Sequence, residues 1–188
     1  PSGLLWYGGY TGDNQFGLTV DYKKYCENVI EMLLKDGRYE VHLILHAFEN
    51  NTINISDNDY VPIKELHAKF PDTIISPLFD SCIDAKGYIA SMDVLIGARM
   101  HATIGAFSAF IPVIAFAYSR KFEGLFSSLN YPYVLNAREL TTERAVNLSL
   151  EWIEKRDELR ELIIKGHALV DQKMEVFKRE LSRIIFEN

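Results

Sequence analysis

Cysteine is scarce in this sequence: Cys26 and Cys82 are the two in 188 residues, and neither belongs to a CxxC pair or to a Cys/His spacing of the kind that holds a metal. A disulfide framework is therefore excluded, and a reducing compartment is the simpler setting. Both thiols read as small apolar side chains. Basic runs are also missing. The formal net charge is -6 and Lys and Arg nowhere cluster, which speaks against nucleic acid as a partner, because phosphate neutralisation needs grouped cations. Long apolar runs are missing too. The longest, Phe107–Tyr118 (FSAFIPVIAFAY), is interrupted by Ser108 and Pro112 and is too short to cross a bilayer. Six prolines and eleven glycines are no enrichment, so widespread disorder is not expected. The chain opens on Pro1-Ser2-Gly3, with no Met and no signal-peptide pattern, and enters apolar sequence at once; it reads as a piece cut from something longer.

What is present is enough for a core. With 48% hydrophobic and 24% charged residues, the chain reads as one domain over residues 1–188. Ser2–Tyr7 (SGLLWY) is expected as a short buried strand, followed by a loop carrying Gly8, Gly9, Gly12 and Gly17. That loop lacks the GxGxxG or GxxxxGKS spacing of a nucleotide fingerprint. Tyr25, Val29, Met32 and Leu33 have helical spacing within Asp21–Lys35, and Asp36-Gly37 ends that helix. Strands are expected at Val41–Leu45, Thr73–Ser76, Asp93–Ile96, Pro112–Ala117 and Tyr133–Leu135. Helices are expected at Tyr60–Phe70, Ser81–Ser91, Arg99–Phe110 and Lys121–Leu129. Thr141 or Thr142 caps a long helical region to about Phe186, divided near Glu154–Glu161 or Gly166. Strands alternating with helices predict an α/β fold: a Rossmann-like parallel sheet of about six strands with helices on both faces. The runs VHLIL, DVLI and PVIAFA suit burial on both sides.

In an open parallel sheet, ligands bind beyond the carboxyl ends of the strands. Val41–Leu45 is followed there by His46, Asp93–Ile96 by Gly97-Ala98-Arg99-Met100-His101, and Pro112–Ala117 by Tyr118-Ser119-Arg120-Lys121. Three strand ends thus carry cationic or titratable groups in an acidic chain, and this points to a small anionic ligand. Helix N-termini favour an anion as well. Arg99 is disfavoured by the helix dipole at such a position unless an anion accompanies it. Residues i and i+2 do not share a helix face, so Arg99 and His101 reach one ligand only if Arg99 still belongs to the turn, which the backbone freedom of Gly97 is expected to permit. Each residue has a plainer role open to it. Arg99 suits a structural ion pair, His101 a satisfied core histidine, His46 a loop cap, Lys121 the solvated surface and Tyr118 simple packing. His42, His67 and His167 fall outside the pattern. No carboxylate pairs obviously with the site; Asp80, Asp84 and Asp93 are the nearest candidates, and Asp93 is expected to lie away from the cleft.

The stretch DVLIGARMHATIGAFSAFIPVIAFAYSRKFEGLFSSL resembles the signature of the polysaccharide pyruvyl transferases. An arginine–x–histidine after a strand, a Pro-Val-Ile strand, then a tyrosine and a lysine opening the next helix fall on Arg99, His101, Pro112-Val113-Ile114, Tyr118 and Lys121. The opening SGLLWYGGYTGDNQFGL and the strand VHLILH are similar to the second half of that family. The resemblance implies two Rossmann-like lobes in the manner of GT-B glycosyltransferases, of which this chain is the C-terminal one. Its N-terminal lobe is then the missing partner, the fragment alone is expected to be inactive, and the long C-terminal helix braces the lobes. It also implies transfer of a pyruvyl group from phosphoenolpyruvate, the donor substrate, to sugar hydroxyls of a polysaccharide or a lipid-linked oligosaccharide precursor. No cofactor and no metal is called for. His101 is the expected acid or base, because imidazole titrates near neutrality. Arg99 is the expected anion clamp, with Lys121, His46 and Tyr118 as substrate contacts. A cytoplasmic location follows from the resemblance, peripheral to the inner membrane where the acceptor is lipid-linked. Two other readings stay open: a GT-B donor lobe for a nucleotide sugar, and a non-catalytic binding domain.

Overall fold

The computed structural model describes residues 1–48 and 57–186. It has an α/β architecture in which every strand pair is parallel. In chain order the elements are α1 (Gly3–Trp6), α2 (Tyr22–Asp36), β1 (His42–Leu43), α3 (Tyr60–Lys69), β2 (Ile74–Ile75), α4 (Cys82–Ala90), β3 (Leu95–Gly97), α5 (Met100–Ser108), β4 (Val113–Ala117), α6 (Arg120–Ser127), β5 (Val134–Asn136), α7 (Thr142–Glu154) and α8 (Arg156–Phe186). The strands form two sheets among the described residues, β1-β2 and β3-β4-β5.

Local chemistry explains most boundaries. Asp21, Ser81 and Thr141 each take an extended backbone, and their side chains accept from the N–H three residues on, at Lys24, Asp84 and Arg144. Gly37 closes α2 with φ 74°, a left-handed conformation that costs glycine nothing. The Ser2–Tyr7 segment is not a strand. It curls into the single turn of α1, where the amides of Trp6 and Tyr7 donate to the carbonyls of Ser2 and Gly3. A six-residue run buried on all sides has no period to distinguish strand from helix. Gly166 does not divide the C-terminal region either; the break falls at Lys155, and Gly166 lies inside α8.

The core is densest along β4, whose five residues are all buried. Tyr131 secures the start of that strand: its hydroxyl donates to the Val113 carbonyl at 2.6 Å and accepts from the Val113 amide at 3.1 Å. α2 and α7 pack together, with Tyr25 Oη and Ser149 Oγ 2.8 Å apart at their buried contact. α8 is docked only in its first half. Leu159, Ile163 and Gly166 are buried, and the ring of His167 stacks on Phe110 at 4.0 Å while Nε2 meets the Phe107 carbonyl at 2.9 Å. Beyond it Phe177, Leu181, Ile184 and Ile185 are exposed. No helix among the described residues is long and apolar enough to cross a membrane.

Candidate active site

The site is built where β1 and β3 end. Arg99 follows β3 as the N-cap of α5 with an extended backbone (φ -91°, ψ 116°), so it belongs to the turn and not to the helix. Its side chain is released from helical geometry and runs inward to two carboxylates. Nε and Nη2 donate to Asp59 Oδ1 at 3.1 and 2.6 Å, Nη2 also donates to the Asp57 carbonyl at 2.9 Å, and Nη1 donates to Asp57 Oδ1. Of the five N–H donors of a guanidinium, four are engaged in this way. Burial works against the charge on Arg99, and the hydrogen bonds and charges of Asp59 and Asp57 outweigh it, so the guanidinium is held more firmly protonated than usual.

The two carboxylates differ. The Asp59 side chain is 0% exposed, and the Gly3 and Ala47 amides also donate to it, at 2.7 and 2.9 Å. Gly3 permits that contact by its bareness: a Cβ there would lie 2.0 Å from the Asn58 carbonyl oxygen. Asp57 is 38% exposed and accepts from the Tyr10 hydroxyl at 3.2 Å. Tyr10 is presented by the glycine-rich loop, in which Gly8 and Gly9 have φ of 74° and 91°. The Tyr10 phenol is raised by the charge of Asp57 first, then by burial.

Of the predicted site residues, Arg99 and His101 act electrostatically on His46, and Arg99 also acts on Tyr118. Burial raises the Tyr118 phenol, and Arg99 acts in the opposite sense; its ring packs edge-on against Phe16 at 4.8 Å. His101 is exposed at the second position of α5, so it is not a core histidine. Lys121 lies in the first turn of α6, exposed and without a hydrogen bond or ion pair among the described residues. Gly97 plays a different part from the one expected: its φ is not positive, and it serves close packing, since a Cβ would sit 3.2 Å from Thr103 Cγ2 under the first turn of α5. The partner carboxylates are not Asp80, Asp84 or Asp93 either, but Asp57 and Asp59. They are some forty residues before Arg99 in the chain, where no spacing rule links them to it. His42, His67 and His167 make structural contacts to Tyr88 and Glu40, to Thr73 and to the Phe107 carbonyl.

His46 is half-buried just beyond the end of β1. Burial pushes its imidazole below the usual range; Asp59 opposes that shift, while Arg99 and His101 add to it. Nδ1 is buried with no hydrogen-bond partner among the described residues. A folded-state value below the unfolded one means that the unfolded chain takes up this proton first as pH falls. The stability contributed by neutral His46 is therefore complete above the unfolded value of about 6.5 and is lost below it. Thermal melts between pH 7.5 and pH 5 should show a fall in melting temperature that is shallower in His46→Gln. An unchanged slope in that variant would show that His46 is not the group responsible.

The ends of parallel strands thus bring a guanidinium, two carboxylates and a half-buried imidazole together, at the edge of the sheet where open parallel sheets bind ligands. The family model for polysaccharide pyruvyl transferase matches residues 9–120, well over half of the 188 residues. The chain belongs to that family, and the matched region contains Tyr10, His46, Asp57, Asp59, Arg99, His101 and Tyr118, together with the strands β1 to β4, while Gly3 and Lys121 lie outside it. Neither a search of curated proteins nor one of solved structures finds a match.

Proposed function

We propose that the chain is the donor-binding lobe of a transferase that moves a pyruvyl group from phosphoenolpyruvate to two hydroxyls of a polysaccharide sugar or its lipid-linked precursor. The observation that carries this reading is Arg99: a guanidinium at a helix N-terminus, with a buried carboxylate holding its inner edge and a half-exposed one on its outer edge. Arg99 with Asp57 and Asp59 sums to one negative charge, so an anionic donor cannot simply add to the cluster. It takes the place of Asp57 on Nη1, which leaves Asp59 to hold the guanidinium in position. His101, and Lys121 from the next helix, face the same ligand from the solvent side.

In this reading His101 delivers a proton to the terminal enol carbon of the donor. The adjacent carbon becomes electrophilic, one sugar hydroxyl adds to it and gives up its proton, and phosphate leaves with the donor oxygen. The second hydroxyl closes the ketal. The two protons lost by the diol balance the one gained by the new methyl group and the one carried off with phosphate. Binding of the acceptor and turnover need the second lobe.

Isothermal titration of the 188-residue chain with phosphoenolpyruvate, inorganic phosphate and several nucleotide sugars tests the donor. Heat with phosphoenolpyruvate that Arg99→Met abolishes is the expected result. Binding of a nucleotide sugar in its place would make this a glycosyl-donor lobe. In the two-lobe protein, His101→Ala is expected to lower kcat by about 10²–10⁴-fold, the usual scale for a lost general acid or base. Normal turnover in that variant would remove His101 from proton transfer.

A further inference from the structure

The two carboxylates on Arg99 are held to different degrees. Asp59 is closed in: Oδ1 accepts from the Gly3 amide and from Nε and Nη2 of Arg99, Oδ2 accepts from the Ala47 amide, and the side chain has no exposed surface. Asp57 faces outward, with Oδ1 on Arg99 Nη1 and Oδ2 on the Tyr10 hydroxyl. Asp57 also meets the guanidinium through a second group. Its backbone carbonyl accepts from Nη2 at 2.9 Å, while its side chain accepts from Nη1. A ligand that takes over Nη1 therefore frees the carboxylate without freeing the residue. The carboxylate stays beside the guanidinium, and the Tyr10 hydroxyl keeps one of its oxygens at the solvent side. Tyr10 is itself steadied, because its amide donates to Gln15 Oε1 at 2.8 Å.

The transfer described above asks for two proton carriers in opposite states. One must be protonated, to supply the terminal carbon of the donor. The other must be ionised, to take the proton of the hydroxyl that adds in the same stage. His101 fills the first part. For the second, Asp59 is enclosed and His46 has Nδ1 buried. The phenols of Tyr10 and Tyr118 are both raised above their ordinary value and so keep their protons. Among the described residues of the cluster, Asp57 is the carboxylate that a substrate can reach.

Resting on the pyruvyl reading, we propose that Asp57 is the base for the first acceptor hydroxyl, set free for that task when the donor displaces its side chain from Arg99. The hydroxyl oxygen bonds to the electrophilic carbon as its O–H bond breaks, and the proton passes to Asp57. Asp57 hands it to the phosphate as the bond between that carbon and the phosphate oxygen breaks. The second hydroxyl then bonds to the same carbon and gives its proton to His101. Both groups finish in the state in which they began, and no co-reactant is needed. Donor binding also prepares the base. A carboxylate that exchanges a cation neighbour for an anion takes up a proton more readily. The donor therefore binds before the acceptor reacts.

Calorimetric titration of phosphoenolpyruvate into the 188-residue chain and its Asp57→Asn variant, at pH 6 in buffers of low and high ionisation enthalpy, reads affinity and proton uptake together. Asp57→Asn is expected to bind phosphoenolpyruvate about tenfold or more tightly, because a like charge no longer contests Arg99, and to take up less proton on binding than the parent. In the two-lobe protein, phosphate release from phosphoenolpyruvate with water as the attacking hydroxyl reads the base itself. Asp57→Asn should lower kcat by about 10²–10⁴-fold and lose the acidic limb of the pH profile, and Asp57→Glu should recover part of both. The proposal is overturned if Asp57→Asn matches the parent in proton uptake and turnover. It is overturned equally if that variant loses turnover through weaker donor binding with the pH profile unchanged, since Asp57 would then only position Arg99. A parent chain that binds no phosphoenolpyruvate would remove the pyruvyl reading and this inference together, whereas a parent that binds it beside Asp57 variants that behave alike would remove this inference alone.

Discussion

Arg99→Ala should cost about 3–5 kcal/mol of stability, the usual penalty for leaving one member of a buried ion pair without its partner. Asp59 is the reason. It is fully buried, and among the described residues removal of the guanidinium leaves its charge with the Gly3 and Ala47 amides as donors. For a domain of this size the loss corresponds to a fall in melting temperature of about 10 °C or more. Urea unfolding of Arg99→Ala, Asp59→Asn and the double variant separates the terms. If the pair behaves as a buried unit, the double variant is more stable than the sum of the single losses predicts, because neither charge is then stranded. Asp57→Asn should cost much less, since that carboxylate is partly in water and screened. Equal losses for Asp57→Asn and Asp59→Asn would contradict the division into an inner and an outer carboxylate.

Ile163→Ala should cost about 2–5 kcal/mol, the range for emptying a fully buried aliphatic site. Its effect is large because α8 has few anchors. Thirty-one residues make a rod of about 46 Å, yet its buried positions are Leu159, Ile163 and Gly166. Gly166→Val should act in the same direction through crowding, since a Cβ there would come 2.7 Å from Phe107 Cζ. A chain ending after Lys173 should by contrast melt within about 1 kcal/mol of the parent, because residues 174–186 are exposed. Calorimetry on these three chains checks the contrast. A truncation as damaging as Ile163→Ala would mean that the exposed half of α8 carries stability.

Much of this architecture is legible in the sequence because its signals are local. The Thr141–Thr142 cap announces the start of α7, and the apolar run at residues 113–117 announces a strand buried on both faces. The rule that ligands collect at strand ends picks out Arg99, which acts electrostatically on His46 and on Tyr118. What is not legible is long-range or without period. SGLLWY is too short to show whether it alternates or coils. Asp57 and Asp59 lie in a polar stretch that looks like any loop, and only folding brings them against Arg99. Gly97 looks like a hinge because glycine often is one; it is needed for the space it leaves to Thr103. The expected single sheet of about six strands stands as five described strands in two groups.

Tyr131 carries a consequence for how β4 is read by its neighbours. β5 pairs with β4 only from Ala115 onward, so Val113 would otherwise turn an amide and a carbonyl toward nothing. A single phenolic oxygen answers both and so impersonates the next residue of the adjoining strand. The alignment of the two strands is thereby written into a side chain attached two residues before the tyrosine that opens the approach to β5. A slip of β5 by one residue would have to carry that ring out of the interior, and this makes an aromatic residue the ratchet that lets the sheet assemble in one alignment only.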